Sequence, residues 1–360
     1  MKVVLMHQTI VKHDAIGNDI CLMYEILSKR LECYVYCDNL LSLSINRIDK
    51  NQLLDIIADN RNLLIYHHSV YWSEGEGILG KCKAKLIIRY HNITPPEFFS
   101  PYCEEYFYLC AKGREQTERL NEKFKDALWV CDSCYNTHDI LSDKMAVFPP
   151  FTNIGQWSAI MPDESILKGL FESQKINLLF VGRIAPNKGH KHLFKIIKDF
   201  HDNYSSDICL YIIGKKDDGL AKYNYELDSM INLLGIEQNI KFIGEINDQL
   251  LISYYLGCDF FVCCSEHEGF CVPLLEAQYF HLPIIAMDTS AISETLGSNQ
   301  VVLSKNILEY SAAIKVLSKD VAAKDFLIEN GFYNYRERFH NDKLVNRFIE
   351  ILREFTGEEI

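Results

Sequence analysis

Short apolar runs alternate along this chain with stretches whose apolar residues recur every three or four positions. That alternation predicts parallel strands, buried on both faces, separated by covering helices. In the first half the strand runs are 3–9, 33–37, 63–67, 85–91, 127–131 and 145–148, with helical patterns at 19–30, 51–59 and 104–124. Phe148-Pro149-Pro150-Phe151 interrupts the rhythm, since adjacent prolines suit neither a helix interior nor a central strand. A second alternation follows, with strands at 177–181, 208–213, 240–244, 260–264, 283–287 and 301–303 and helices at 190–201, 225–234, 248–256 and 272–280. Residues 333–355 read as a final helix, with Phe339, Leu344, Phe348 and Leu352 near one face. The expected architecture is α/β, with two doubly wound domains at 1–150 and 151–334 whose strand-end loops face a common cleft.

At 360 residues the chain exceeds the size of one core, and its 48% hydrophobic content supports two. A net charge of −12 argues against a nucleic-acid partner, which requires a concentrated basic surface. No run reaches the ~20 apolar residues of a bilayer span. The N-terminal Met1-Lys2-Val3-Val4-Leu5-Met6-His7-Gln8 reads as a strand without a cleavage site, so the expectation is a cytoplasmic protein, with peripheral attachment to the inner membrane face allowed. The 13 cysteines lie mostly in apolar runs, which reads as core filling in a reducing compartment. Cys131-Asp132-Ser133-Cys134 has C-x-x-C spacing but no second pair to complete a zinc site, so no metal is expected.

The densest chemistry is Ser265-Glu266-His267-Glu268-Gly269-Phe270-Cys271-Val272-Pro273-Leu274-Leu275-Glu276. Its Gly and Pro mark a strand leaving into a tight loop before a helix opens, with Glu268 in the loop and Glu276 on the helix. Backbone N–H groups of such a first turn face outward unpaired and suit an anionic or hydroxyl-rich ligand. Upstream, Phe180-Val181-Gly182-Arg183-Ile184-Ala185-Pro186-Asn187-Lys188-Gly189 sets Arg183 and Lys188 five apart after a strand. His67-His68 and Tyr90-His91-Asn92 end two strands of the first half, and adjacent strand residues point to opposite faces, so His67 and His68 do not readily share one ion.

These segments, in this order, resemble the GT-B retaining glycosyltransferases of family 4, the glycosyl transferases group 1, of bacterial surface-polysaccharide type. The resemblance covers about residues 1–357 and implies that the final helix, about 335–360, returns to the N-terminal domain. It implies a metal-independent site without cofactor in which Arg183 and Lys188 grip the donor diphosphate and Glu276 takes the ribose hydroxyls. Glu268, with the N–H groups of Gly269, Phe270, Cys271 and Val272, would receive the sugar. His91 would lie beside the transferred sugar, and Gly17, in the loop 13–19, would approach the phosphate. Acceptor contacts are assigned to His67 and His68. The family often has Gly where Cys271 stands, Pro where Ser293 stands, and a Pro-Asn-Gly turn where this chain has 148–151.

The implied reaction is hexosyl transfer with retention, from GDP-mannose first or a UDP-hexose second, to a hydroxyl of a glycan or lipid-linked oligosaccharide. The departing diphosphate would accept the acceptor proton; the residues alone do not separate this from a covalent intermediate on Glu268. Two rival readings remain at this stage: a sugar-nucleotide epimerase, which needs an acid–base pair beside the ring, and a non-catalytic partner subunit, which would be expected to have lost Arg183, Lys188 or Glu276.

Overall fold

A computed structural model describes residues 1–11, 14–41 and 45–360. Residue 13, the first of the loop 13–19 named above, lies outside them. The strands are β1 (Lys2–Met6), β2 (Thr9–Val11), β3 (Glu32–Tyr36), β4 (Asn39–Leu41), β5 (Leu63–His68), β6 (Lys85–Tyr90), β7 (Leu128–Cys131) and β8 (Met145–Val147). They are followed by β9 (Ile176–Val181), β10 (Ile208–Ile213), β11 (Ile240–Gly244), β12 (Phe260–Cys263), β13 (Ile284–Met287) and β14 (Val301–Leu303). Two parallel six-stranded sheets result, in the orders β3-β1-β5-β6-β7-β8 and β11-β10-β9-β12-β13-β14. The pair β2–β4, a separate two-stranded sheet, has no counterpart among the expected strands.

The chain divides into two compact units. Unit 1 comprises Met1–Pro96, Glu105–Asn153 and Phe339–Ile360; unit 2 comprises Glu97–Glu104 and Ile154–Arg338. The short Glu97–Glu104 segment therefore departs from the boundary expected at residue 150. Its ties explain why: the Tyr102 hydroxyl meets Glu226 at 2.8 Å and Lys191 Nζ at 2.8 Å, and Lys222 Nζ donates to the Pro101 carbonyl.

Unit 1 shows how alternation builds two cores from one sheet. Val4, Met6, Leu64, Tyr66, Leu86, Ile88, Tyr90 and Trp129 face one side, where Leu53, Ile57, Ile78, Leu79 and Leu120 of the covering helices meet them. Val3, Leu5, Leu63, Ile65, Ile87 and Val130 face the other side. There the helix Ala15–Ser28 contributes Ile20, Met23 and Leu27, and the final helix Asn341–Thr356 contributes Leu344, Phe348, Ile351 and Leu352. Phe148 and Phe151 flank the prolines and bury their rings against Phe348, which fixes the Pro-Pro segment inside unit 1. The expected final helix is broken at its start: Tyr335–Phe339 forms a wide turn before the regular helix begins at Asn341.

All 13 cysteines are free. Cys131 is buried at the end of β7 and Cys134 is exposed, so the C-x-x-C spacing closes no disulfide. Among the described residues no helix is long and apolar enough to cross a membrane.

Candidate functional site

In unit 2 the strand order reverses between β9 and β12: the chain runs outward from β9 through β10 to β11, and β12 then starts on the other side of β9. In doubly wound sheets ligands bind outside the carboxyl ends of the strands at this reversal. The loops leaving β9 and β12 carry Arg183, Lys188 and Glu268. Two backbone approaches bring them together. Gly189 takes φ 70°, and a Cβ there would stand 1.8 Å from the Cys264 carbonyl oxygen, so only glycine permits the turn to lie against the end of β12. Asn187 then stitches the loops: its carbonyl accepts from Glu266 N–H at 2.8 Å and its side-chain amide donates to the His267 carbonyl at 3.1 Å.

The consequence is a two-point ion pair, with Lys188 Nζ 2.7 and 2.9 Å from the two Glu268 oxygens. Burial alone would lower the Lys188 ammonium, but the Glu268 carboxylate outweighs it and the net direction is upward. Ser290 Oγ accepts from Glu268 N–H at 2.8 Å and holds the loop from the other side. Arg183 contrasts with Lys188: its side chain is 56% exposed, with Asp217 at 4.0 Å.

After Glu268 the chain passes half-buried Gly269 and buried Phe270, whose carbonyl accepts from Thr295 Oγ1 at 2.7 Å. Cys271, at φ 74° and ψ 70°, then caps the helix Val272–Tyr279. That left-handed backbone is one glycine adopts freely, and a cysteine holds it at a cost of about 1–3 kcal/mol. The neighbouring Cys263 thiol and burial push the Cys271 thiol well up. Glu276 lies in the second turn, where the Tyr255 hydroxyl donates to Oε2 at 2.5 Å. Tyr255 is fixed between Phe261 and Phe280, ring centroids 6.2 and 5.5 Å away. Burial pushes the Glu276 carboxyl up to about 7, partly opposed by the Tyr255 bond and reinforced by Asp248.

Unit 1 carries a different cluster. Asp132 bonds His91 Nδ1 at 3.0 Å and pairs with Arg89 at 2.8 Å. The His91 Nε2 meets His67 Nδ1 at 2.9 Å, and the His67 carbonyl meets His7 Nδ1 at 2.9 Å. Arg89 Nε donates to Asp19 at 3.2 Å, and the other Asp19 oxygen accepts from Phe151 N–H at 2.8 Å. Burial pushes His67 well down, holds His7 near 4, and raises Asp19.

Several expectations change here. The His91 ring is 3% exposed with both nitrogens engaged, so it offers no free nitrogen to a ligand. His67 is 1% exposed and His68 is fully buried between Tyr66 and Thr117, so neither presents itself to an acceptor. The two do point to opposite faces. Gly17 sits inside the helix Ala15–Ser28, its N–H donating to the capping Asp14, because an Asp at that position starts the helix earlier than the apolar pattern suggests. It is glycine for packing: a Cβ would stand 2.0 Å from the Val11 carbonyl oxygen.

Asp19, His67 and His91 present possible ligand atoms within 4.8 Å of one another, which is metal-like spacing. The Asp19 oxygens and both His91 nitrogens already hold hydrogen bonds, and Arg89 adds a positive charge beside them. This donor set does not fit a cation. Asn187, Gly189, Ser290 and Tyr255 were not anticipated as site-builders; the positive-φ glycine beside Pro186-Asn187-Lys188 was the available signal.

Residues 163–332 match the family model described as glycosyl transferases group 1. An uncharacterized 41.2 kDa protein in the cps region of Klebsiella pneumoniae is 20% identical over 193 residues, 51% of this chain and 48% of that protein. The O-antigen chain mannosyltransferase RfbU of Salmonella typhimurium is 23% identical over 251 residues, 66% of this chain and 65% of its own. The chain thus spans about half to two thirds of the length of these curated relatives. The solved structure of Anabaena Alr3699/HepE, in complex with UDP and glucose, superposes with a TM-score of 0.75 at 16% identity, covering 98% of this chain and 99% of that one. At that identity the superposition speaks for fold alone. The two parallel-sheet units are those of the GT-B fold, and the glycosyl transferases group 1 match falls on unit 2.

Proposed function

We propose that this protein transfers a hexosyl group, with retention, from a nucleoside-diphosphate sugar to a hydroxyl of a glycan or lipid-linked acceptor during surface-polysaccharide synthesis. The observation that carries the reading is the Lys188–Glu268 clasp at the sheet's reversal point, with exposed Arg183 on the same loop and Glu276 on the next helix.

Breaking the bond to the diphosphate develops negative charge on the leaving group, and fixed cations there lower the barrier. Arg183 is free to swing onto the diphosphate. Lys188 is held by Glu268 until an anion competes for its ammonium; the diphosphate takes that place and releases Glu268 to accept hydrogen bonds from sugar hydroxyls. Glu276, once ionised, accepts from the two ribose hydroxyls in charge-assisted bonds. The first-turn N–H groups of the helix Val272–Tyr279 add donors toward the sugar-phosphate. The leaving diphosphate takes the acceptor proton, so the protein supplies no nucleophile, and the reading requires no metal ion.

The mannosyltransferase relative supports a mannosyl donor, and the UDP and glucose held by the structural neighbour support a UDP-hexose. Thermal melting of the full chain against GDP, UDP, dTDP, CMP and ADP, with and without EDTA, separates them. A ligand at 100 times its Kd adds about 2.7 kcal/mol of stability. One nucleoside diphosphate should raise Tm equally with and without EDTA; no rise with any would remove the donor site, and a rise abolished by EDTA would remove metal independence.

A further inference from the structure

In unit 1 the period-2 alternation of the strands does not stop at the apolar core. On the face that buries Val3, Leu5, Ile65, Ile87 and Val130, the next outward positions are His7, His67, Arg89, His91 and Asp132. Four adjacent strands, β1, β5, β6 and β7, thus end on one polar layer at their carboxyl edge. The order β3-β1-β5 also puts this sheet's reversal between β1 and β5, where His7 and His67 stand. By the same topological rule that picked out the unit 2 loops, this edge is where a ligand would approach.

The layer's hydrogen bonds permit a definite reading. A carboxylate only accepts, so His91 Nδ1 carries a hydrogen toward Asp132. In neutral His91 the Nε2 is then an acceptor, and His67 Nδ1 must be the donor across 2.9 Å. This leaves His67 Nε2 bare; it is buried and has no hydrogen-bond partner among the described residues. Burial disfavours a charge on His67 and so keeps it in the neutral form the line requires. Arg89 pins Asp132 at 2.8 Å and is itself pinned by Asp19, so the carboxylate at the head of the line is not free to turn. Beyond the ring, Asn92 leaves the strand end at φ 68°, and its side chain bonds Asn136 at 3.0 Å.

We propose that His67 and Asp132 are positioning residues that hold His91 as its neutral Nδ1–H tautomer, with a fixed ring plane, and thereby set the 91–92 strand end that unit 1 presents to its ligand. The proposal rests on the transferase reading for its consequence, but its geometry stands apart from it. A ring held on both nitrogens is a strut rather than a proton carrier. A misplacement of about 1 Å far from the chemistry can cost on the order of 100-fold in rate.

The experiment uses the full chain labelled with ¹⁵N-histidine. The nitrogen shifts of His91, assigned through single-histidine variants, should report Nδ1 protonated and Nε2 bare; the opposite tautomer overturns the proposal whether or not the protein is a transferase. The same chain is then followed by release of UDP from UDP-glucose or of GDP from GDP-mannose, whichever it turns over. His67→Asn keeps an N–H where Nδ1 stood and should retain kcat to within about twofold. His67→Leu packs without a donor and should lose up to about 100-fold in kcat, with donor KM unchanged in both variants. Equal behaviour of the two variants contradicts the positioning role. Absence of any nucleotide-induced rise in Tm of the unaltered chain would instead sink the donor-site reading and leave the tautomer result standing.

Discussion

The two sheets end in opposite ways. In unit 2 the charged groups sit on loops beyond β9 and β12, and Arg183 and Lys188 remain available to a ligand that outcompetes their present carboxylate neighbours. In unit 1 the charged groups sit on the strand ends themselves, buried and closed upon one another from Asp19 through Arg89 and Asp132 to His91 and His67. Arg183 carries its charge cheaply because water solvates it until a ligand arrives, while Lys188 leans on one buried carboxylate, Glu268, that a ligand can displace. A strand end inside a core has neither option, so each of its charges needs a built-in partner. The same topology therefore yields a reactive edge in one unit and a rigid one in the other.

The sharpest way to break the contrast is Asp19→Asn. It removes one of the two buried carboxylates that pair with Arg89, and breaking a buried pair costs up to about 3–5 kcal/mol, so urea or thermal unfolding should show a large loss that nucleotide does not restore in full. Arg183→Ala should do the reverse. Its side chain is 56% exposed, so stability should change little, while donor turnover falls by about 10²–10³, the loss seen when one charge-stabilising group is removed from a transition state. If Arg183→Ala destabilises as much as Asp19→Asn, the distinction between the two edges fails.

Gly189→Ala probes what brings the unit 2 loops together. The clash with the Cys264 carbonyl and the positive φ should cost a few kcal/mol, of the order of about 1–3 for strain alone, and should weaken nucleotide binding with it. Gly17→Ala, which clashes as closely with Val11, should destabilise without changing the nucleotide-induced rise in Tm.

The smallest effect is pH-dependent. Glu276 titrates near 7 in the folded chain against 4.5 ordinarily, so the folded state holds its proton more tightly than the unfolded one. Its contribution to stability is present below about 4.5 and is lost as pH rises toward and through 7. Ribose binding needs the carboxylate and runs the other way, so nucleotide affinity should rise between pH 6 and 8. Tyr255→Phe removes the bond that favours the ionised form and should move that rise to higher pH, lowering affinity at pH 7 by a few-fold. Calorimetric titration with UDP or GDP across this range, in both proteins, reads the shift.

Much of this was legible in the chain. All 12 strands of the two large sheets stand where apolar runs put them, because strands buried on both faces leave an uninterrupted signal. The pair β2–β4 left none: each strand has only three residues. That Arg183, Lys188 and Glu268 lie on the loops after β9 and β12, with Glu276 on the next helix, was readable because Gly and Pro punctuate those segments locally. The strand-end layer was not, because its members lie at the ends of four separate strands and only the shared face joins them. His91 and His68 illustrate the limit. Their position at strand ends was correct, yet whether such a histidine faces outward or inward depends on partners 41 and 49 residues away, Asp132 and Thr117. The packing reason for Gly17 was not legible either, since the contact that demands glycine is with Val11 of β2, a strand the pattern did not reveal.

The most direct test of the account is equilibrium titration of the full chain with UDP and with GDP, in EDTA, comparing the unaltered protein with Lys188→Ala, Glu276→Ala and His67→Asn. The account predicts that one of the two nucleotides binds, that both unit 2 substitutions weaken it by at least about tenfold, worth ~1.4 kcal/mol, and that His67→Asn leaves it unchanged. Binding that survives loss of both Lys188 and Glu276, or no binding of either nucleotide, would contradict the claim that the loops after β9 and β12 form a nucleoside-diphosphate site.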